Sequence, residues 1–518
     1  MVDSMPEQIA KLNMNGINKD LSPYELPDTV WSDGNNIQFD NDKTAKVRGH
    51  QQVFGTPSGA PYWILPFNTI TTDYWIYPSL TKIYRVSTSG STTTHEDVTR
   101  TTGGDYSATA ANRWSGGVLG GVAILNNGVD VPQMFGTSAT DFSALSNWLS
   151  ATTTKVMRPF KRFLVALDTT ESSTRYPFRV RWSHPAEGGT VPTTWDASDD
   201  TKDAGYVDLS QTNGFVIDCL PLGDSNIVYK EDSIWSMIFE GGQSIFGFRQ
   251  LFSDAGILGK DCAKDFDNKH FVVSEDDIYV HDGQTKQSIV DGQIRDELFN
   301  TMHPDYKTRT FVVADREKNE MLVCFVSNSA TDAFADIAYV WNWRNNSWSV
   351  RDLPSVSFIS WGVVDTVSTT DWTESGEWDT DNTSWDSPLK PSLLLADANN
   401  TKLFVLGSNQ FDGTDFRAWV QKSDMSFGFN GTKSVTKIVP RVDGTGSLDF
   451  YIGNEMMPHQ GMTWDGPYTF TPGVHSEIPV RSTGNYIGIR AESTDDKNWS
   501  LENMEIHWKP QGSRGSGV

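Results

Sequence analysis

Cysteine is scarce in this sequence. The 518 residues include only Cys219, Cys262 and Cys324, and two of these lie in apolar, strand-like runs, FVIDCLPL and EMLVCFV. Three such cysteines do not form a disulfide framework, so we expect buried free thiols and folding in a reducing cytoplasm. The first residues, MVDSMPEQIAKLNMNG, carry no secretory signal pattern, and no run approaches the roughly 18 apolar residues of a membrane span. We therefore expect no export by a signal of its own and no membrane insertion.

Positive charge is also in short supply. The chain has 42 Lys and Arg against 66 Asp and Glu, a net charge of −24. Such a surface repels phosphate backbones, so duplex binding through counterion release is disfavoured, and solubility alone is the other reading of this charge. Hydrophobic residues still make up 37% of the chain. With the glycines added, that is the ordinary share for a folded globular protein.

Recognisable catalytic and metal-binding motifs are missing too. The nearest approach to a nucleophile elbow is GQSIF at 242–246, which has phenylalanine where the strained turn needs a second glycine. GGVLGG at 116–121 runs into a strand-like segment, not into a helix that could hold phosphate. No histidine has zinc-site spacing, and the aspartate clusters at 196–203 and 379–386 are typical of solvated turns. We expect no catalytic residues, no metal, no cofactor and no enzymatic activity.

Helical periodicity is rare, and the dominant hydrophobic period is two. ADIAYVWNWRNNSWSVRDLP, from Ala335, predicts a β-hairpin that turns at Arg344-Asn345-Asn346. Three further segments have the same form, at 226–241, at 269–290 with a turn at Asp282-Gly283, and at 309–326. Short helices are predicted only at 291–302 and 141–149.

These patterns predict an all-β protein. We expect an irregular β-propeller with inserted loops or a subdomain, followed by a C-terminal β-sandwich-like domain. The predicted boundaries are an extended N-terminal arm at 1–30, the propeller at 31–420 with insertions near 169–213 and 365–391, and the C-terminal β-domain with a flexible tail at 421–518. No strict repeat period appears, so the number of blades stays open.

The N-terminal segment resembles a known family. The series GINKDLSPYELPDTVWSDGNNIQF…KVRGHQQVFG, which begins at Gly16, is similar to the start of tail nozzle proteins of short-tailed (podovirus) bacteriophages, also called tail tubular protein B or tail stabilisation proteins. Further similar pieces follow in the same order, at 113–135, 248–299 and 481–514. Together they touch most of the chain, and each consists of turn and strand residues without a chemical signature.

The resemblance implies a structural virion protein. Six copies would form a ring below a dodecameric tail adaptor (the head-to-tail connector), prolong and gate the channel for DNA ejection, and carry or neighbour the tail fibres or spikes. The implied location is the distal part of the short viral tail, after synthesis and assembly in the bacterial cytoplasm. The genomic DNA would pass without sequence-specific binding. No catalytic residues carry over, and the gate residues stay unassigned.

Residues of the N-terminal segment are candidates for the contact with a neighbouring subunit or with the adaptor. Prolines preset an extended backbone that can lie on a neighbour, Gly34-Asn35-Asn36 suits a tight turn, and the basic residues suit an acidic partner. The alternative to an interface is a disordered N-terminal segment followed by an edge strand. The predicted interface residues are Pro23, Pro27, Trp31, Asn35, Asn36, Lys46 and Arg48.

An adhesin in the same particle is the alternative function. Trp372, Trp378 and Trp385 stand in a polar segment and could stack on a glycan, which suits a receptor-binding or glycan-binding tail protein with or without depolymerase activity. Aromatic residues in such a segment also serve to pin a loop to its own domain or to a neighbouring subunit. Both readings stay open from the sequence.

Overall fold

The computed structural model describes residues 7–13, 15–68, 73–89, 92–242, 244–364, 391–457 and 461–513. The chain is nearly all-β, as predicted, and its strands form small antiparallel sheets. Five strands precede the first complete sheet: β1 Gln8–Asn13, β2 Asp33–Asn35, β3 Ile37–Asp40, β4 Lys43–Lys46 and β5 Gly49–Gln52.

Six four-stranded sheets follow one another along the chain, each built from consecutive antiparallel strands. Their strands are β6 Leu65–Asn68, β7 Asp73–Pro78, β8 Ile83–Ser89, β9 Thr92–Asp97; β10 Ser115–Leu119, β11 Val122–Asn126, β12 Gln133–Phe135, β13 Ser143–Ala144; β14 Thr152–Phe160, β15 Phe163–Glu171, β16 Thr174–Trp182, β17 Gly205–Asp208; β18 Val216–Leu222, β19 Ser225–Lys230, β20 Ile234–Phe239, β21 Phe246–Phe252; β22 Ala263–Phe266, β23 Lys269–Val273, β24 Ile278–His281, β25 Lys286–Ser288; and β26 Phe311–Asp315, β27 Glu320–Phe325, β28 Ala335–Asn342, β29 Ser347–Val356. All four predicted hairpins lie within these sheets and are confirmed.

A seventh four-stranded sheet joins the two ends of this series. It consists of β30 Phe358–Val363, β31 Pro391–Asp397 and β32 Lys402–Ser408, completed by β5 from before the first sheet. The first strand of most sheets contacts the first strand of the next, and β30 contacts β6. Each neighbouring pair of sheets, including the seventh and the first, also shares a buried apolar cluster. Within the described residues, seven four-stranded sheets in this cyclic order match the strand order of a seven-bladed β-propeller.

The remaining strands form a two-layered β-sandwich. They are β33 Ala418–Met425, β34 Gly431–Gly444, β35 Leu448–Glu455, β36 Thr463–Phe470, β37 Ile478–Gly484, β38 Tyr486–Ser493 and β39 Trp499–Ser513. One sheet has the order β3-β4-β39-β34-β37 with β1 also paired to β39, and the other has the order β2-β33-β38-β35-β36. A single apolar core lies between the two layers and includes Trp31 and Trp508.

The sheets divide the chain differently from the predicted boundaries. Residues 8–46 supply β1 to β4 of the sandwich, whereas the prediction placed an arm at 1–30 and the start of the propeller at 31. β1 pairs with β39, almost 500 residues away, with Gln8 opposite Trp508. Pairing between strands so distant in the chain leaves no local pattern, so periodicity could not reveal it.

Two other local predictions differ from the structure. Residues 141–149 form β13 and turns, not a helix, because Ser143 and Ala144 pair with Met134 and Gln133. The predicted insertion at 169–213 contains β16 and β17, so only its part between these strands is a long loop. The helix predicted at 291–302 is present as α1 Arg295–Thr301, followed by a 3₁₀ helix at Pro304–Arg309. The segment predicted as an insertion at 365–391 lies outside the described residues except for its last position.

Candidate functional site

Most of the predicted interface residues lie inside the chain. Trp31 is fully buried in the sandwich core, and its indole N–H donates a hydrogen bond to Thr44 Oγ1 at 3.1 Å. Asn36 and Lys46 are buried as well, and Asn35 is half-buried. These residues hold the chain's own parts together, as follows from their hydrogen bonds below.

Asn35 and Asn36 fasten the sandwich to the sixth sheet. Their side-chain amides donate to the Asp352 carboxylate on β29, over 2.9 Å from Asn35 Nδ2 and 2.7 Å from Asn36 Nδ2. Asn36 Oδ1 accepts from the Asp352 backbone N–H at 2.9 Å, and Asn36 Nδ2 also donates to the carbonyl of Arg417. Asn36 has a φ of 58°, a left-handed conformation that asparagine tolerates well. We call this group, Asn35, Asn36, Asp352 and Arg417, the junction.

The two basic residues also serve contacts within the chain. Lys46 Nζ donates to the carbonyl oxygen of Asp495 and lies 4.2 Å from the centre of the Phe416 ring. Burial lowers the pKa of Lys46, against the opposing effect of nearby aspartates. Arg48 is exposed and donates to the side-chain carbonyl of Asn409. Of these two, only Arg48 retains a surface that a partner could reach.

Pro23 and Pro27 lie on a loop against the sandwich, where apolar side chains are exposed. Pro27 is exposed and Pro23 half-buried, and Lys422 Nζ donates to the carbonyl of Pro27. Tyr24 between them is 51% exposed and packs edge-on against Tyr486 at 5.6 Å. Asn485, next to Tyr486, donates to the carbonyl of Met456 at 2.8 Å. We call the exposed side chains on this side of the sandwich, together with Leu21 on the same loop, the Tyr24 patch: Leu21, Tyr24, Met456 and Met457.

The other predicted sites add no chemistry among the described residues. Trp372, Trp378 and Trp385 lie outside the described residues, as do the aspartates at 379–386. Asp196 and Asp199 accept hydrogen bonds from Ser198 and Thr201 two positions on, which makes them turn carboxylates. Within the parts of the chain that the structure describes, no group of three or more His, Cys, Asp or Glu is placed to hold a metal ion. All three cysteines are buried free thiols, as predicted.

A cavity of about 330 Å³ lies where the first strands of the sheets meet. Six of the seven sheets contribute to its wall, among them the second through Gly116, the third through Arg158 and the seventh through Ser360. Gly117 on β10 faces Pro159, and a Cβ at this glycine would approach the Pro159 ring to 2.8 Å. The second and third sheets therefore pack closely at the edge of the cavity. We call it the axial cavity.

A network of buried charges forms part of the wall of the axial cavity. Arg158 binds Asp218 with two hydrogen bonds, Nε to Oδ1 at 2.9 Å and Nη2 to Oδ2 at 2.8 Å, and donates to Asp261 Oδ1 at 2.7 Å. The backbone N–H of Asp261 donates to Asp218 Oδ2, and Arg113 Nη2 lies 3.6 Å from Asp261 Oδ2. Two carboxylates thus meet two guanidinium groups, which links β14 and β18 with the residues just before β10 and β22. This group leaves no local pattern in the sequence, since its members are up to 148 positions apart.

Two buried histidines of the fifth sheet are held neutral by a chain of hydrogen bonds through Tyr229 of the fourth sheet. The hydroxyl of Tyr229 lies 2.6 Å from His270 Nδ1 and 2.8 Å from His281 Nε2. His270 Nε2 lies 2.9 Å from the carbonyl of Pro221, which can only accept, and His281 Nδ1 accepts from the Gly283 N–H at 3.2 Å. Each ring therefore carries one proton, on Nε2, and Tyr229 donates to His270. Burial lowers the pKa of both rings, that of His281 to about 3.

This hydrogen-bond chain predicts a loss of local stability in acid. An unfolded histidine takes up a proton near pH 6.5, while His281 in the fold does so only near pH 3, so the unfolded state binds more protons as the pH falls below 6.5. Between pH 7 and pH 5 this lowers the opening free energy around His281 by about 2 kcal/mol. Hydrogen exchange of peptides covering Ile278–His281 measures that change.

The matched variant for this measurement is His281→Gln, which cannot titrate. The comparison with this variant also removes the effect of Glu320. Burial raises the pKa of Glu320 to about 7, so its contribution to the free energy of unfolding changes with pH in the opposite direction. We expect the opening free energy of the wild type to fall by about 2 kcal/mol more than that of His281→Gln over this pH interval. Equal pH dependence in the two proteins would contradict the neutral, buried state of His281.

Comparisons with known proteins give no family. No protein-family model matches the chain, and no curated protein matches it. Among solved structures, the chain is similar to the computationally designed Ika8 protein, at 8% identity and a TM-score of 0.34, over 77% of this chain and 99% of that one. It is also similar to PorZ, a surface component of the type-IX secretion system of Porphyromonas gingivalis, at 9% identity and a TM-score of 0.37. That likeness covers 75% of this chain and 44% of PorZ. None of the described helices is long and apolar enough to cross a membrane.

Proposed function

We propose that the chain is a structural virion protein, the subunit of the nozzle of a short phage tail. Six copies form a ring below the dodecameric adaptor, prolong and gate the DNA ejection channel, and support the tail fibres, with no enzymatic step. The observation that carries this proposal is the ordered resemblance of four segments, at 16–55, 113–135, 248–299 and 481–514, to the tail nozzle family.

The way the N-terminal segment is fastened supports an assembly role. Residues 8–46 supply strands of the sandwich, β5 closes the seventh sheet, and the junction ties the two parts together through Asp352. A ring subunit that bears load during ejection needs such a fixed relation between its parts. The acidic charge of −24 supports the same role, because acidic channel walls repel DNA phosphates and let the genome pass without adhering.

The Tyr24 patch is the surface we assign to the contact with the next subunit. Its aromatic and methionine side chains are about half exposed, with values of 51% for Tyr24, 50% for Met456 and 54% for Met457. Tyrosine and methionine are enriched at the centres of protein interfaces, while single exposed apolar residues are ordinary. The patch adjoins Pro23 and Pro27, which keeps these two predicted interface residues in the proposal.

Replacing Tyr24 with glutamate tests this assignment. We expect the full-length chain to form six-membered rings, with or without the adaptor, and Tyr24→Glu to weaken ring formation at least tenfold, because a charge would be buried at an interface core. Mass photometry over a concentration series measures the distribution of oligomers.

The matched control is Val474→Glu. Val474 is 72% exposed and follows β36 at its Phe470 end, which pairs with Leu448, whereas the Tyr24 patch lies near the other end of β35. This variant should leave ring formation unchanged. Trimers in place of six-membered rings, together with cleavage of purified host polysaccharide by the chain alone, would favour the adhesin instead. If both variants formed rings equally well, the nozzle proposal would stand, but the Tyr24 patch would not be part of the subunit interface.

A further inference from the structure

Lys264 brings to the axial cavity a positive charge that makes no hydrogen bond and no ion pair among the described residues. Lys264 lies on β22, lines the cavity and is half-buried. Its amine has no hydrogen bond and no ion pair among the described residues, although the structure records such contacts for most lysines that are buried to this degree or more. Burial lowers the pKa of Lys264. A cation in this position is stabilised by any anion that can reach it.

The carboxylates nearest to Lys264 are already engaged by arginines. Asp218 and Asp261 bind Arg158, and Arg113 lies beside the second oxygen of Asp261. Asp265, next to Lys264 in sequence, pairs with Arg316 at 2.7 Å. The acids and arginines therefore balance one another, and the charge of Lys264 is in excess, as is that of Lys260, whose amine donates to the carbonyl of Arg113. An additional anion, not a cation, would balance the excess positive charge in the cavity.

Beyond Lys264 and the paired charges of Arg158, Asp218 and Asp261, the wall is largely apolar, and the cavity has the size of a small-molecule site. Val312, Phe358 and Trp361 contribute apolar surface, and Ser360 adds a hydroxyl from the seventh sheet. A volume of about 330 Å³ is at the lower end of the range of ligand sites in proteins. Such a wall holds the body of a compact organic molecule, while one charged group fixes its orientation.

We propose that the axial cavity binds a small organic carboxylate, whose anionic group pairs with the Lys264 amine and whose apolar body packs against Val312, Phe358 and Trp361. This inference is independent of the proposed function, because the cavity belongs to a single chain and needs no ring. The bound carboxylate would contact the fifth sheet through Lys264 and the seventh sheet through Phe358 and Trp361.

Two probes of equal shape and opposite charge test the proposal on the full-length chain. Benzoate should bind, as measured by isothermal titration calorimetry, and benzylammonium should bind at least tenfold more weakly. Lys264→Met should weaken benzoate binding at least tenfold, since the charge is lost while the aliphatic stem is kept. The matched control is Lys269→Met. Lys269 is an exposed lysine on β23 of the same sheet and has no hydrogen bond or ion pair among the described residues. This variant should bind benzoate as the wild type does.

A labelling experiment on the wild-type chain covers the case in which Lys264→Met does not fold. At pH 8 the Lys264 amine should be acetylated by an N-hydroxysuccinimide ester, and benzoate should slow that reaction at least fivefold without protecting Lys269, as read by peptide mass spectrometry. Absence of benzoate binding, equal binding of the two probes, or unchanged acetylation of Lys264 in benzoate would each overturn the proposal.

Discussion

Replacing Arg158 with methionine is expected to lower the free energy of unfolding by about 3–5 kcal/mol, because it leaves Asp218 and Asp261 buried without their main partner. The side chain of Arg158 is 15% exposed, and those of Asp218 and Asp261 are 7% and 11% exposed. All three hydrogen bonds of Arg158 to these carboxylates are between 2.7 and 2.9 Å. Urea denaturation followed by tryptophan fluorescence measures the loss.

The matched control for Arg158 is an exposed arginine with the same kind of partner. Arg316 pairs with Asp265 at 2.7 Å, with side chains 58% and 44% exposed. Exposed ion pairs contribute about 0–1 kcal/mol, so Arg316→Met should cost no more than that. Adding Asp218→Asn to Arg158→Met should recover part of the loss, since one unpaired charge is then removed. Similar small costs for both arginine variants would contradict a buried charge network that ties the sheets together.

Replacing Trp31 with alanine is expected to cost about 3–5 kcal/mol, the range for removing a large aromatic side chain from a core. Trp31 is fully buried between the two layers of the sandwich, and its indole N–H is bonded to Thr44. Its backbone also fixes the N-terminal segment, because its N–H donates to the carbonyl of Gly16 and its carbonyl accepts from Asn18. The variant should therefore show faster hydrogen exchange at 15–31, as well as a lower midpoint of urea denaturation.

Tyr24→Ala is the control in the same segment. Tyr24 is 51% exposed, so removing its ring should change the free energy of unfolding by about 0.5 kcal/mol or less. If Trp31→Ala were as mild as Tyr24→Ala, the segment at 15–31 would not be anchored as the structure describes. It would then be free to lie on a neighbouring subunit, as the sequence alone suggested.

The hairpins could be predicted from the sequence because their signal is local. At 335–356, alternating apolar residues flank a polar turn, and the structure pairs Trp341 with Trp348 across that turn. The pairing of β5 with β32, which completes the seventh sheet, could not be predicted in this way. Phe404 pairs with Gln52, more than 350 positions away, and nothing in the short run GHQQ indicates its partner. The helix predicted at 141–149 failed for a related reason, since tertiary pairing with β12 overrode a weak local pattern.

The predicted site residues show the same limit. Trp31, Asn36 and Lys46 were predicted to contact another subunit or the adaptor, whereas the structure buries them within the chain. Their partners Thr44, Asp352 and Asp495 could not be predicted from the sequence pattern. Because these residues are buried, their contacts are with other parts of the same chain. The signal that could have marked them is the combination of tryptophan and asparagine beside a Gly-Asn-Asn turn, which is as typical of an internal anchor as of an interface. Whether Pro23, Pro27 and Arg48 contact another subunit stays a prediction.

A cryo-EM reconstruction of the tail of the phage particle, with this chain located in the density, tests the proposed nozzle function. We expect a closed ring of six copies distal to the twelve-subunit adaptor, with the Tyr24 patch facing a neighbouring subunit and an open or gated channel on the axis. Trimers of this chain at the periphery of the tail would contradict it and would favour the adhesin.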